Sequence, residues 1–263
     1  MTASFALPIT VIGYIVGVVV ATLHTVYRSR SARRASSIVF VLTWVFHTVT
    51  VVQEALVHAR LPLANMAEYL LVLGWIVLSL HLYLWFRLRM EIAGVVLPPL
   101  AGIMTFAAMQ LMRSASPALK IAPDGWFLVH TTVSTLGMAI LCVALAMSVI
   151  YLIQDRALKS RQTLKLLERL PSLHRADQIG FRSLTVGFLL LTLGIGTGIV
   201  VNAEVRQRIL VLEPKQIFPL LAWLVFAAGL VARTALGFRG RKSAYLTITG
   251  VALGLLTVIG MTL

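Results

Sequence analysis

The chain has 263 residues, of which 59% are apolar and only 12% are charged, and its mean hydropathy is +0.92. A soluble globular domain carries about 25% charged residues, so this composition excludes one and predicts that lipid surrounds much of the surface. The single cysteine, Cys142, excludes a disulfide, a zinc cluster and a CxxC redox pair within one chain. The composition therefore predicts an all-α, polytopic membrane helix bundle.

Apolar runs of transmembrane length follow one another along the whole chain. They lie at 7–27, 36–57, 66–86, 92–112, 126–153, 180–201, 216–236 and 244–262. About 20 apolar residues are needed to cross the hydrocarbon core of a bilayer, so each run is long enough for one span. The first run lacks a basic leader and a cleavage site of small residues, which predicts a retained helix. We therefore expect about eight transmembrane helices in a single domain over residues 1–263.

Lysine and arginine residues are divided unevenly between the two sets of loops. One set holds only Arg60, Arg113, Lys120, Arg206, Arg208 and Lys215, which leaves 17 of the 23 basic residues for the other set. The positive-inside rule places the richer set in the cytoplasm, and an even number of helices then puts both termini outside. This pattern predicts a multi-pass protein of the cell inner (cytoplasmic) membrane.

The formal net charge of +14 also raises the possibility of nucleic-acid binding. However, the basic residues stand in short blocks between apolar runs, which is the pattern of membrane topology signals. None of these blocks is interleaved with aromatic residues, as a platform for single strands would require. We therefore expect no nucleic-acid partner.

Six ionisable side chains fall at membrane depth in the predicted spans: His24, His47, Glu54, Glu68, His81 and His130. Such groups cost a few kcal/mol in hydrocarbon, so each one is a candidate for function. The predicted topology places His47, Glu54, Glu68 and His130 in the outer half of the bundle, where we expect them to converge. The alternative for each histidine is a hydrogen bond to a neighbouring helix, and for Glu54 and Glu68 it is a capping role near water.

Neutral imidazole is a suitable ligand for haem iron, and a haem site also needs a flat apolar slot and often a cation for the propionates. His130 is the predicted iron ligand. Trp126 lies one helical turn before it, and Lys215 in an outer loop is a candidate cation. These residues could supply a haem site, while neutral imidazole also suits a transition metal.

Four segments, taken in order, extend over nearly the whole chain. They are LPLANMAEYLLVLGW (61–75), LPSLHRADQIGFRSLTVGFLLLTLGIGTG (170–198), EPKQIFPLLAWLVFAAGLVAR (213–233) and GFRGRKSAYLTITG (237–250). The set resembles the cytochrome c assembly family, which includes the haem-handling CcsA/ResC proteins and the related HemX-type proteins. The first segment resembles the family's Pro-x-x-Asn-x-x-Glu helix entry, and the last its Gly-Trp-Arg-Gly-Arg turn. The resemblance implies an all-helical membrane fold and a role in cytochrome c maturation or haem supply.

Three features depart from the pattern of the haem-handling members. A tryptophan-rich WWD segment is replaced here by residues 210–213, which contain no tryptophan. A histidine of the cytochrome c synthases is replaced by Val231, and the chain stops at Leu263, before a further outer histidine. Only His130 matches a family haem-ligand position. The resemblance therefore favours the HemX-type branch, without covalent haem attachment by this chain alone.

The leading hypothesis is a haem-associated membrane protein that is not an enzyme. In this interpretation His130, together with His47, contacts haem, while Asn65 and Glu68 shape the mouth of the site. Glu213 and Lys215 would lie where the WWD segment presents haem in the family. Expected partners are the lipid bilayer, haem and other cytochrome c biogenesis or haem-pathway proteins.

Two alternatives come from other classes of protein. A HemX-like regulatory scaffold would control a haem-biosynthesis enzyme through the basic loop 155–176, without binding haem. A small-solute transporter is disfavoured, because the apolar runs contain only Pro98, Pro99 and Pro219 and show no inverted repeat.

Overall fold

The computed structural model describes residues 5–27, 29–113, 125–159, 172–206 and 214–260. Within these ranges it contains eight α-helices, one 3₁₀-helix and no strand. Seven helical segments are long and apolar enough to cross a membrane. The eighth, Arg241–Gly260, has 20 residues, which corresponds to about 30 Å. The predicted all-α, polytopic bundle is confirmed, whereas its orientation in the membrane stays a prediction.

The helices form two compact units, Met1–Ala122 and Pro123–Leu263, each with its own buried core. The single domain expected over 1–263 stays a prediction. The first unit contains α1 (Ala6–Tyr27), α2 (Arg30–His58), α3 (Met66–Leu88), the 3₁₀-helix (Glu91–Val95) and α4 (Leu97–Arg113). The second contains α5 (Gly125–Lys159), α6 (Leu173–Arg206), α7 (Pro214–Ala235) and α8 (Arg241–Gly260).

Several helices extend beyond the apolar runs because polar residues cap them. In α2 the Ser29 hydroxyl accepts a hydrogen bond from the Ala32 N–H, so the helix starts six residues before the apolar run at 36–57.

The fourth apolar run starts with a 3₁₀ turn rather than an α-helix, and Pro98 and Pro99 lie in the first turn of α4. Proline is well tolerated there because that turn needs no N–H donor.

Within the first unit, glycine residues let α1 approach α2. Gly13 lies against Thr43 and Gly17 lies against the ring of Phe40, so a Cβ at either glycine would overlap the opposite side chain. Lipid tails are as apolar as the side chains, and membrane helices therefore associate largely through such close packing.

Within the second unit, α5 and α6 form a long antiparallel pair, with glycines along α6 at intervals of seven, seven and four residues. The opposed residues are Gly180 with Met147, Gly187 with Leu141, Gly194 with Ser134 and Gly198 with His130. A Cβ on Gly187 would lie 2.7 Å from Leu141 Cγ and 3.3 Å from a backbone oxygen of α5. The glycines thus fix both the separation of the two helices and their register.

The other end of this unit is held by ion pairs and a tight turn. Arg233 on α7 donates two hydrogen bonds to Asp177 on α6, at 2.6 and 2.7 Å, and its guanidinium lies 4.1 Å from the centre of the Phe181 ring. Between α7 and α8, Gly237 and Gly240 have φ of +67° and +71°. This left-handed backbone favours glycine, which explains both glycines of the Gly-Phe-Arg-Gly-Arg turn.

The contact of Gly187 with α5 predicts that two glycine-to-alanine substitutions on α6 differ in their effect on stability. Gly187→Ala places a methyl group against Leu141 and should lower the stability of the second unit by about 1–3 kcal/mol, the usual cost of overpacking. Gly196→Ala is the matched control, because nothing lies within 4 Å of a Cβ at that position. Thermal unfolding of both variants in detergent, followed by circular dichroism, measures the difference. Equal melting temperatures would show that the glycine contact is not needed for stability.

Candidate functional site

His130 lies in the second turn of α5 and makes its hydrogen bond to the backbone of α6. Its Nδ1 is 2.8 Å from the carbonyl oxygen of Gly194. A carbonyl oxygen only accepts, so Nδ1 carries the hydrogen and donates it. In the neutral ring the lone pair is then on Nε2, which makes no hydrogen bond within the described residues. The ring is only partly buried.

The position of the His130 ring depends on two further residues of α6. A Cβ on Gly198 would lie 2.8 Å from Cε1 and 3.1 Å from Nδ1 of the imidazole, so only glycine leaves room for the ring. The Thr197 hydroxyl donates to the Leu193 carbonyl oxygen at 2.9 Å, lies 3.0 Å from the Gly194 carbonyl oxygen and is 3.5 Å from Nδ1 of His130. The hydroxyl therefore lies beside the carbonyl that accepts the imidazole hydrogen, and the ring is held with its Nδ1 edge against α6.

Trp126 lies one turn before His130 on the same side of α5, and 49% of its surface is exposed. The Trp126 ring is therefore accessible on this side of α5, and its role in a haem slot stays a prediction. Glu213 lies outside the described residues, and so does the side chain of Lys215. The roles of these two residues stay predictions.

His47 lies in the core of the first unit and is fully buried. Its Nε2 is 3.0 Å from the Leu71 carbonyl oxygen and must donate to it, so Nδ1 accepts from the Tyr14 hydroxyl, also at 3.0 Å. Both ring nitrogens are engaged, and α1, α2 and α3 are joined through one imidazole. This is the interhelical hydrogen bonding that the sequence left open as the alternative to haem contact.

Asn65 and Glu68 form a hydrogen-bonded cap at the start of α3. Asn65 Oδ1 accepts from the Glu68 N–H at 2.9 Å, while Asn65 Nδ2 donates to Glu68 Oε1 at 2.7 Å. The buried carboxylate also accepts from the Ala64 N–H at 2.9 Å and from both terminal nitrogens of Arg60, at 2.6 and 2.8 Å. The carboxylate raises the pKa of Arg60, mainly through these hydrogen bonds. The Asn-x-x-Glu spacing is thus a capping motif closed by an arginine.

The remaining candidates lie in the first unit as well. Glu54 is 3.6 Å from His58 on the same helix. His24 and Arg33 both contact Glu91, at 3.0 and 2.5 Å, which fastens the 3₁₀-helix to α1 and α2.

His81 differs from the other histidines of the first unit. It is fully buried against the rings of Phe40 and Trp85, and neither of its nitrogens has a hydrogen-bond partner within the described residues. Within the described residues His81 does not form the hydrogen bond to a neighbouring helix that was the alternative for each histidine, because aromatic rings surround it instead of polar groups.

The predicted convergence of His130 with His47, Glu54 and Glu68 involves both units, and it stays a prediction. Sequence reasoning missed Tyr14, Arg60 and Thr197, which hold the neighbouring polar groups in place. Gly194 and Gly198 are small residues four apart, a spacing that favours close packing of membrane helices. An antiparallel pairing of α5 with α6 in the observed register places these two glycines opposite His130.

The fold and this site together define a polytopic helical membrane protein with one imidazole held at a glycine-lined helix contact. Residues 63–263 match the family model for cytochrome c assembly proteins. The chain belongs to this family, so the resemblance seen in its four segments is confirmed.

Similar proteins come from cyanobacteria and algae. The cytochrome c biogenesis protein CcsA of Microcystis aeruginosa is 30% identical over 250 residues, covering 77% of this chain and 76% of that protein. CcsA of Gloeothece citriformis is 28% identical with the same coverage of both chains. CcsA of Guillardia theta is 28% identical over 219 residues, covering 76% of this chain and 73% of that protein. These relatives are CcsA proteins, and they give the HemX-type assignment no support.

The hydrogen bonds at the start of α3 predict that substitution of Arg60 strongly lowers the stability of the first unit. Arg60→Met leaves the Glu68 carboxylate buried without its cation and should lower the stability of the first unit by about 3–5 kcal/mol. Arg60→Lys keeps the charge but loses the bidentate hydrogen bond to Glu68, so it should lower the stability less. Arg113→Met is the control, because Arg113 is exposed and, among the described residues, its guanidinium contacts only Gln110, at 3.5 Å. Chemical unfolding in detergent measures all three variants, and equal effects of Arg60→Met and Arg113→Met would contradict the capping role.

Proposed function

We propose that this protein handles haem during cytochrome c biogenesis, in the cell inner membrane, with Nε2 of His130 as an axial ligand to the iron. The observation that carries the proposal is the hydrogen bond from His130 Nδ1 to the Gly194 carbonyl oxygen at 2.8 Å. It leaves the lone pair of Nε2 available and fixes the direction in which the lone pair points.

The residues around His130 fit the requirements of a haem ligand. Histidines that bind metals usually donate the second ring N–H to a carbonyl or carboxylate, which orients the ring and raises its basicity. His130 meets this condition through Gly194. Trp126 supplies an exposed ring on the same face of α5, and Lys215, close in sequence to the family's haem-presenting segment, would bind a propionate.

Haem is the cargo in this proposal, and its iron supplies the redox centre of the finished cytochrome. The role of the protein is to bind the haem and to orient it. His130 holds the iron, while the Gly194 carbonyl keeps the imidazole in one tautomer and Gly198 leaves room for the ring in this orientation. Glu213 and Lys215 would contact the edge of the macrocycle by their position in the sequence. His47, Asn65 and Glu68 instead stabilise the helices of the first unit, because their polar atoms are already engaged.

Membership of the family supports a place in cytochrome c biogenesis, as do relatives that are named for it. The absence of tryptophan at 210–213 and the valine at Val231 limit the proposal to haem handling without covalent ligation by this chain alone. The proposal therefore includes other biogenesis proteins as partners and no catalytic residues.

Replacing the proposed ligand should remove haem without unfolding the protein. His130→Ala, purified in detergent from haem-replete cells, should contain at least about tenfold less haem than the wild type, because the iron loses its axial nitrogen. His174→Ala is the matched control, since His174 lies on an exposed part of α6 and contacts only Gln178 within the described residues. The Soret absorbance per protein measures the haem content.

Added imidazole should restore part of the absorbance of the His130→Ala variant, because it can occupy the space that the side chain left. A full Soret band in His130→Ala would contradict the ligand assignment. A wild-type protein without haem under these conditions would contradict haem handling itself.

A second substitution tests the orientation of the ring rather than its presence. Gly198→Ala places a methyl group 2.8 Å from Cε1 of His130 and should shift the ring, with a loss of about tenfold in haem affinity. Gly196→Ala should leave the affinity unchanged, because its Cβ would meet nothing within 4 Å. Haem titration followed by difference absorbance compares the two variants. Identical affinities would show that the ring is not held by α6.

A further inference from the structure

In the first unit, tryptophan residues join α2 and α3 in the middle of their contact. The rings of Trp44 and Trp75 are stacked with centroids 6.4 Å apart. Trp44 Nε1 donates to Ser79 Oγ, and Trp75 Nε1 donates to Thr48 Oγ1, each at 2.8 Å. These contacts hold the two helices together at one level along their length.

Towards the start of α2 and the end of α3, the same two helices leave an open apolar groove. Its volume is about 230 Å³, and it is lined by Ser37, Ile38, Val41, Leu42 and Phe86. Ile38, Leu42 and Phe86 are exposed by 58%, 51% and 56%, so the groove opens sideways. The volume accommodates several methylene groups of an acyl chain.

The mouth of the groove is surrounded by positive charge. Arg34 lies three and four residues before Ser37 and Ile38, so it is on the groove side of α2, and Arg30 lies one turn further out. Arg87 directly follows Phe86 in the last turn of α3, and Arg89 is the C-cap residue of this helix. All four arginines are exposed, and within the described residues none of them forms an ion pair, whereas the nearby Arg33 binds Glu91 at 2.5 Å.

We propose that this groove binds one anionic phospholipid, with an acyl chain along Val41 and Phe86 and the headgroup phosphate against Arg34 and Arg89. The apolar lining and the adjacent arginines match the two parts of such a lipid. Basic pockets between transmembrane helices recognise anionic headgroups in this way. A zwitterionic lipid offers the same acyl chain without the net negative charge, so the arginines distinguish the two lipids. This site is separate from the proposed haem ligand.

The lipid preference is measured on the full chain by native mass spectrometry. Protein in detergent is titrated with phosphatidylglycerol and with phosphatidylcholine that carry the same acyl chains. The wild type should bind one phosphatidylglycerol at least about tenfold more tightly than phosphatidylcholine. Each arginine near a membrane surface contributes about fivefold, so the R34Q/R89Q double variant should lose most of this preference.

The R156Q/R239Q double variant is the charge-matched control, since both arginines are exposed residues of the second unit. It should keep the preference of the wild type. Equal affinity of the wild type for the two lipids would overturn the proposal, and so would an equal loss in both double variants.

The acyl-chain part of the site has its own test. Val41→Trp fills the groove and should abolish tight binding of phosphatidylglycerol with the helix content unchanged. Val19→Trp, at a 53% exposed position of α1, should have no effect. Phosphatidylglycerol bound equally well by Val41→Trp would overturn the assignment to this groove, and so would displacement of the lipid by millimolar inorganic phosphate alone.

Discussion

The contact between α5 and α6 across glycine residues is the interaction on which the site depends. Lipid gives helices no hydrophobic reason to associate, so close packing of backbones and interhelical hydrogen bonds must hold them together. Glycine on α6 allows this approach, and it also brings the Gly194 carbonyl to 2.8 Å from His130. That carbonyl already belongs to a helix, yet its second lone pair can accept the imidazole hydrogen. The same packing therefore provides stability and directs one nitrogen away from the helix contact.

The histidines show how the surroundings decide what an intramembrane imidazole does. His47 finds a donor on one side and an acceptor on the other, so its polar atoms are used to join helices. His81 lies among aromatic rings and contributes to packing. In the part of the chain that the structure describes, His130 has a partner for only one nitrogen, and it is partly accessible. Since an iron ligand needs an oriented ring and an available lone pair, His130 has the arrangement that the proposed function requires.

Much of the fold follows from the sequence, because apolar runs and basic loops are local signals. The runs locate every described helix, although α2 begins before its run because Ser29 caps a polar first turn. The site was less predictable. His130 and Trp126 stand out as polar and aromatic residues at a helix start, but the role of Gly198 depends on the register between two helices. Glu68 was interpreted as part of a haem mouth, and its full set of donors depends on Arg60, eight residues away across a turn. Contacts between helices, or across a turn, depend on how the elements pack, so they cannot be predicted from a local sequence pattern.

The tautomer of His130 tests the central claim most directly. Solid-state ¹⁵N NMR of haem-free protein in bilayers, labelled at histidine, distinguishes a protonated Nδ1 from a protonated Nε2. The His130→Gln variant identifies the signal by difference. If α6 holds the ring as described, the neutral imidazole carries its hydrogen on Nδ1 and Nε2 is unprotonated. A neutral His130 with its hydrogen on Nε2 would contradict the hydrogen bond to Gly194, and with it the ligand geometry that the proposed function requires.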